Sequence, residues 1–173
     1  MKTTEISLPA ASAKLNEALS GRGAFLSVAA PGLAPNTMTI GWAQVGPLWT
    51  INVLSVFVRP SRYTAELLTK TDVFTVSVPA AGKLTEELAY CGSRSGREGD
   101  KFAACGLKAL PGKTASSVIA GGCGLFFECK TLHAAPMHLD GLPPGLKKRC
   151  YPLKDYHTVY FGDIVELYEI TPD

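Results

Sequence analysis

The sequence predicts a mainly β fold: about six strands forming a barrel, with short helices around it. Three observations carry that expectation. Short segments rich in β-branched and aromatic residues recur along the chain, separated by glycine, proline and polar clusters. Helical patterns are few and short. The strand–helix alternation of a parallel sheet is missing, as is any GxGxxG motif after a strand.

The elements follow in order. "AFLSVAA" (24–30) is apolar and rich in strand formers. "TMTIGWAQV" (37–45) and "LWTINVLSVFV" (48–58) flank Gly46-Pro47, a turn signal that predicts a hairpin with Trp42 and Trp49 on either side. "SRYTAELLTKT" (61–71) follows Pro60, places Tyr63, Leu67 and Leu68 near one face, and has Ser61 or Thr64 as its cap. In "FTVSV" (74–78), Phe74, Val76 and Val78 share one face and Thr75 and Ser77 the other.

"KLTEELAYCG" (83–92) predicts a helix that stops at Gly92, and "DKFAACG" (100–106) one that starts on a capping Asp100. "LFFECKTLHA" (125–134) and "YHTVYFGDIVELYEI" (156–170) complete the strands, with Gly162 marking a bulge or bend. The stretch 136–154, with four prolines and "KKR", reads as a long surface loop. No repeat or linker interrupts the chain, so residues 1–173 read as a single domain.

Composition narrows the function. The length of 173 residues suffices for a real core, and 46% hydrophobic with 18% charged residues is ordinary for a soluble globular chain. A net charge of +2 is too small to argue for nucleic acid as a partner. No secretory signal and no run of about twenty apolar residues is visible, which points to a cytoplasmic protein without a membrane span. Five cysteines with no CxxC pair read as reduced thiols.

Several motifs mislead. "GLKALPGKT" (106–114) has five residues between its glycines, one too many for a phosphate-binding loop, and reads as a turn between two strands. "GSRSG" (92–96) lacks the central serine of a nucleophile elbow. His133, His138 and His157 stand singly, so no metal site is expected.

Positive charge is instead local. "CGSRSGREGDKF" (91–102) combines glycines, serines, Arg94, Arg97 and Lys101, and a cationic loop that flexible is suited to an anion. "VFVRPSRYT" (56–64) leads from a strand into a helix start carrying Arg59, Ser61, Arg62 and Thr64, a second anion-binding pattern. "NTMTIGW" (36–42) offers backbone amides and the Thr37 and Thr39 hydroxyls to a planar heterocycle, with Met38 and Trp42 as ring-contacting surface.

Taken in order, "NTMTIGW … VRPSRYT … FTVS … CGSRSGREGDKF … FECK … YHTVYFGDIVE" resembles the flavin reductase-like family with the FMN-binding split barrel, closest to its flavoredoxin-type subgroup. The resemblance spans roughly residues 20 to 170. It implies a six-stranded split β-barrel of Greek-key type with short peripheral helices. It further implies that Asn36, Thr37, Met38 and Thr39 meet the isoalloxazine edge, largely through backbone groups, with Trp42 close by. Val56 to Arg59 would run under the flavin, and Ser61, Arg62, Tyr63 and Thr64 would hold its phosphate end. Gly92, Ser93 and Ser95 would line the cofactor, Lys101 would set positive charge near it, and His157 would lie on the nicotinamide side.

Such proteins are homodimers with flavin sites near the interface. The resemblance therefore implies FMN as cofactor, NADH or NADPH as electron donor, and free flavin, a partner oxygenase or an electron carrier as acceptor. Two functions stay open: an NAD(P)H-dependent flavin or acceptor reductase, and an FMN-binding electron-transfer protein without nicotinamide turnover. For Lys101 and His157 the plain alternatives are a surface lysine paired with Asp100 and a packed strand histidine.

Overall fold

A computed structural model describes residues 2–114 and 117–171, Thr171 by its backbone alone. The chain opens with β1 (Lys2–Glu5) and α1 (Leu8–Ser20), then runs through β2 (Ala24–Val28), β3 (Asn36–Ile40), β4 (Ala43–Leu48) and β5 (Ile51–Val58). It continues with α2 (Tyr63–Leu68), β6 (Val73–Pro79), α3 (Thr85–Ser93), α4 (Lys101–Ala104), β7 (Ala109–Pro111) and β8 (Val118–Ala120). β9 (Cys123–Pro136), α5 (Pro144–Cys150) and β10 (Thr158–Thr171) complete it.

The mainly β class holds. One antiparallel sheet runs β3-β2-β6-β9-β10-β5-β4, with β1 added on β10, and β7 and β8 form a separate hairpin. The edge strands β3 and β4 are consecutive in the chain, joined at Gly41-Trp42, yet each bonds a different neighbour. The sheet therefore curls without closing, and the gap between these two strands is the split in the barrel. The 37–45 run divides at this corner, so one expected strand becomes two.

Leu26, Leu54, Val56, Phe74, Val76 and Phe127 fill the barrel. A second cluster, built on Phe25, Leu88, Phe102, Phe126 and Tyr168, packs α3, α4 and the β7–β8 hairpin against the outer face. The alternation of β6 is as expected, but both of its faces are dry. Thr75 Oγ1 donates to Val118 O, and Ser77 Oγ accepts from Ala120 N at 3.1 Å. Hydroxyls sit on that face because the small hairpin has backbone groups to offer them.

Three turn and cap expectations are corrected. Gly46 and Pro47 lie inside β4, opposite Val53 and Asn52, where an edge strand tolerates proline. The turn is Trp49-Thr50, with φ of 51° and 67°, the left-handed pair that matches strand twist in a two-residue hairpin. Neither Ser61 nor Thr64 caps α2, whose N-cap is Arg62. Gly92 lies inside α3 rather than ending it, and is glycine because a Cβ would sit 3.3 Å from Thr39 Cβ.

The segment 136–154 is likewise not all loop. It holds α5, whose last turn carries Lys147, Lys148 and Arg149, a placement the helix dipole favours. Asp100 does cap α4, its carboxylate accepting from Phe102 N and Ala103 N. Gly162 does mark a bulge: the β10–β9 register shifts there, and a Cβ would meet Phe74 Cζ at 2.5 Å.

The decoy at 106–114 holds β7 and the start of the turn towards β8, and a buried carboxylate organises that turn. Glu128 of β9 accepts from Lys113 N (2.7 Å), Thr114 N (2.6 Å), Ser117 Oγ (2.6 Å) and Tyr168 Oη (2.5 Å). Burial pushes its pKa up, but these hydrogen bonds outweigh that and hold it below the ordinary carboxylate value.

Two stability predictions result. Glu128→Gln should cost about 2–3 kcal/mol in urea unfolding, the scale of bonds to a charged acceptor. Because the folded pKa is depressed, Glu128 stabilises the fold above pH 4.5 and that contribution fades as pH falls below it. Thr50→Gly, which relieves a β-branched residue at φ 67°, should raise stability by roughly 1 kcal/mol.

Candidate functional site

The residues expected to form a site converge from three directions. β3 contributes Asn36 and Met38; the β5–α2 junction contributes Ser61, Arg62, Tyr63 and Thr64; the end of α3 contributes Cys91 and Gly92, the loop after it Arg94, Ser95 and Gly96, and the start of α4 Lys101. Together they line a pocket of about 80 Å³. A larger cavity, about 960 Å³, opens on the far side of α3 between α1 and the start of β9, but its floor is largely apolar and it holds none of these residues. The smaller pocket is the one that gathers the cationic and polar side chains.

Lys101 dominates the pocket. Only 5% of it is exposed, and its Nζ donates to Cys91 O (3.1 Å) and Arg94 O (3.3 Å). No carboxylate pairs with it among the described residues. Burial lowers its pKa, and the nearby Arg62 guanidinium lowers it further. Asp100 caps α4 instead of neutralising it. Arg62 and Arg94 also lack salt bridges among the described residues, so three cations face one small space. Such a cluster is unfavourable alone and is relieved by an anion.

Other charges and hydroxyls are already engaged. Arg97 donates to Ser61 O (3.2 Å) and Glu66 Oε2 (3.3 Å) and lies over the Tyr63 ring, tying the loop to α2. Arg59 donates to Cys150 O at 2.9 Å and Asp155 O at 3.5 Å, so it anchors the 150–155 segment. Ser61 Oγ donates to Asp155 Oδ2 at 2.5 Å. Asn36 Nδ2 donates to Thr64 Oγ1 at 2.9 Å, and both residues are buried.

The Thr37 and Thr39 hydroxyls point elsewhere: Thr37 bonds Ser27 and Leu26 O, and Thr39 donates to Leu88 O at 2.6 Å. Ser93 Oγ donates back into α3, to Ala89 O, and does not line the pocket. Val56 is wholly buried in the barrel core. What β3 can offer a ligand is its backbone edge and the Met38 side chain.

Beside the pocket stands an aromatic group. His157 is 8% exposed, with Nδ1 2.8 Å from Tyr151 Oη and its ring 4.8 Å from that of Trp42. Tyr151 packs in turn on Tyr156 and under Arg59. Burial pushes the His157 pKa down to about 4, with the Arg59 charge assisting and Asp155 opposing. The ring is therefore neutral at physiological pH.

Tyr151, Asp155 and Gly96 were not singled out as site residues from the sequence, whereas Arg94 was named within the cationic loop. Tyr151 and Asp155 reach the site only through tertiary contacts across the 136–157 excursion, which no local spacing reveals. Gly96 had a readable signal as the middle glycine of the cationic loop: a Cβ there would meet Asn36 Oδ1 at 2.1 Å.

Comparison with known proteins bears on the fold. The flavin reductase like domain matches residues 20–173. Among solved structures, flavoredoxin from Methanosarcina acetivorans is 22% identical, with a TM-score of 0.65 over 85% of this chain and 67% of that one. An FMN-binding domain of a flavin reductase-like enzyme from Shewanella baltica is 18% identical, with a TM-score of 0.67 over 97% and 77%. An NADH:FAD oxidoreductase from Streptomyces globisporus, in complex with NAD and FAD fragments, is 18% identical, with a TM-score of 0.63 over 86% and 75%. At these identities the structural likeness establishes the fold. No curated protein sequence matches the chain.

The pKa of His157 generates a prediction of its own. Its ring carbons should titrate near pH 4 by NMR in the folded protein. The unfolded chain takes up that proton at pH 6.5, so stability should fall as pH drops from 6.5 towards 4, by up to about 1.4 kcal/mol per pH unit. A ring titrating near 6.5 would remove His157 from the buried cluster.

Proposed function

The chain belongs to the flavin reductase-like domain family, and from that premise we propose an FMN-dependent oxidoreductase that takes hydride from NADH or NADPH. The observation that carries this reading is Lys101, a buried ammonium with no carboxylate partner among the described residues, grouped with Arg62 and Arg94 around a pocket that an anionic cofactor would neutralise. The donor set fits FMN on charge, since phosphate and the reduced ring both bring negative charge to cations.

When bound, FMN would supply the hydride and electron chemistry. The roles left to the chain are binding, orientation and charge. Arg62, with Ser61, Tyr63 and Thr64, is assigned to the phosphate end; Lys101 is assigned to stabilising the charge of the reduced ring. Gly92, Ser95 and Gly96 let the loop backbone approach closely. The backbone of Asn36–Thr39 is assigned to the ring edge, with Met38 beneath it. His157, neutral and hydrogen-bonded to Tyr151, is a shape and hydrogen-bonding element of the donor side rather than a cation.

The protein is read as a single domain over 1–173 that works as a cytoplasmic homodimer. Support for dimerisation comes from an apolar outer face: Trp49 is 55% exposed, its ring 5.6 Å from that of Phe161, beside His133 and the exposed Leu132. Among the described residues no helix is long and apolar enough to cross a membrane. The electron acceptor is free flavin, a partner oxygenase or a small carrier.

One observation favours the second reading, an FMN-binding electron carrier without nicotinamide turnover. Trp42, Tyr151 and Tyr156 already crowd His157 on the side assigned to the donor. Anaerobic spectra separate the two: NADH or NADPH should bleach the bound flavin within seconds, whereas a carrier bleaches only with dithionite. Arg62→Ala should weaken FMN binding by about 1.5–3 kcal/mol, roughly 10- to 150-fold in a fluorescence titration. Unchanged affinity would take Arg62 out of the phosphate site, and no flavin binding by the unmodified protein would end both readings.

A further inference from the structure

The cationic loop is bracketed by two thiols that touch. Cys91 is buried in the second half of α3, Cys105 is half-buried at the C-cap of α4, and their sulfurs lie 3.8 Å apart. Residues 92–104 run between them and carry Arg94, Arg97 and Lys101. The same gap is spanned by Lys101, whose Nζ reaches back to Cys91 O. Of the remaining cysteines, Cys123 and Cys129 are buried in the cores, and Cys150 is half-buried in α5.

A disulfide requires the sulfurs to close to about 2.0 Å. Gly99, whose surroundings are open, gives the intervening loop room to follow as the two side chains rotate towards each other. We propose that Cys91 and Cys105 form a reversible dithiol–disulfide pair, oxidised by hydrogen peroxide, that staples the 92–104 loop shut at its base. Cys105, the more accessible thiol, attacks first. Its thiolate displaces one peroxide oxygen; the O–O bond breaks, a sulfenic acid forms and water leaves. The Cys91 thiolate then attacks the Cys105 sulfur, the S–O bond breaks and a second water leaves. Two thiols and one peroxide become one disulfide and two waters, with sulfur oxidised by two electrons and peroxide reduced by two. A small dithiol reverses the step by exchange.

The local charges set the rate. Burial pushes the Cys91 thiol up to about 12 and raises Cys105 as well; Glu87 opposes ionisation, while the Lys101 ammonium favours it. Thiolate is scarce at neutral pH, so the pair responds to sustained rather than trace peroxide, and faster as pH rises. The consequence for the pocket rests on the FMN reading: a stapled loop holds Gly92, Ser95 and Lys101 in place before the ligand arrives, which lowers the ordering cost of binding.

The test uses the full chain carrying Cys150→Ser, treated with a few equivalents of hydrogen peroxide, quenched with N-ethylmaleimide and mapped without reductant. The expected result is one Cys91–Cys105 cross-linked peptide. Tm should rise by roughly 5–10 °C and return with dithiothreitol. Tryptic cleavage after Arg94 and Arg97 should slow several-fold, and Cys105→Ser, or Cys105→Ala if the serine variant folds poorly, should abolish all of these changes. Sulfinic acid at Cys105 with Cys91 still free, a different pairing, or a disulfide that leaves both Tm and proteolysis unchanged would overturn the proposal. None of these readouts needs flavin. An FMN titration of the two forms then reads the consequence, expected as a 3- to 10-fold lower Kd when oxidised. Absence of FMN binding in both forms would reject the cofactor reading and leave the staple to be judged by mass and melting.

Discussion

The fold turns on β10, which has to serve different partners along its length. Its first half, Thr158 to Asp163, is bonded on one side to β5 and on the other to β9. Beyond Asp163 it keeps β9 as far as Glu169, and from Tyr168 to Thr171 it takes β1 in place of β5. A straight strand cannot follow two diverging neighbours, so the register shifts at Phe161/Gly162 and again between Ile164 and Glu166. Gly162 makes the first bend possible because Phe74 and Cys129 occupy the space a Cβ would need. With β10 bent, the sheet curls until β3 and β4 nearly meet. His157 precedes the first residue of this strand, and Val58, paired with Thr158, feeds directly into the β5–α2 junction. The strand that curves the barrel thus also brings the aromatic group to the cationic one.

The electrostatics of the pocket follow from what was placed elsewhere. Carboxylates are close at hand, and three of them are already occupied: Glu66 with Lys70 and Arg97, Asp155 with Ser61, Asp100 with the first amides of α4. Lys101 is left with carbonyl oxygens, which orient its ammonium without cancelling the charge. Arg59 and Arg97 have the opposite fate, spent on joining segments. Of the five cations that cluster along the sequence, three remain for a ligand, and the other two hold the walls that those three project from.

That division explains what could be read from the sequence. Strand identity was legible wherever the alternation or β-branched content was strong, as in β2, β6 and β10, and the Asp100 cap and the Gly162 bulge were legible because one residue type answers one steric or hydrogen-bonding need. The turn was not. Gly46-Pro47 carries a stronger local signal than Trp49-Thr50, but pairing with β5 overrode it, and Trp49 gains a partner in Phe161. Local pattern also hid α1, where Lys14 and Glu17 draw attention away from the buried Ala11 and Leu15. In the pocket, the cationic loop and Arg62 stood out from composition alone. Thr37, Thr39 and Ser93 looked equally polar, but their hydroxyls are consumed inside the protein, and only three-dimensional pairing separates a hydroxyl in use from one on offer.

The neutral side-chain hydroxyls and amides at this site are therefore largely spent inside the protein. With Asn36 and Thr64 bonded to each other and the threonines of β3 turned away, a ligand meets backbone edge, glycine, the Met38 side chain and three positive charges. Such a surface selects for a flat group that can lie along a backbone and for negative charge at fixed places, and it discriminates by the shape of the loop more than by any one residue. The shape is held by a few cross-links: Arg97 to α2, Lys101 to the end of α3, Gly96 against Asn36, and the 150–155 segment through Arg59 and Ser61. Loosening any of them moves the amides and the cations together, so affinity for an anion and the geometry of its ring should change as one property.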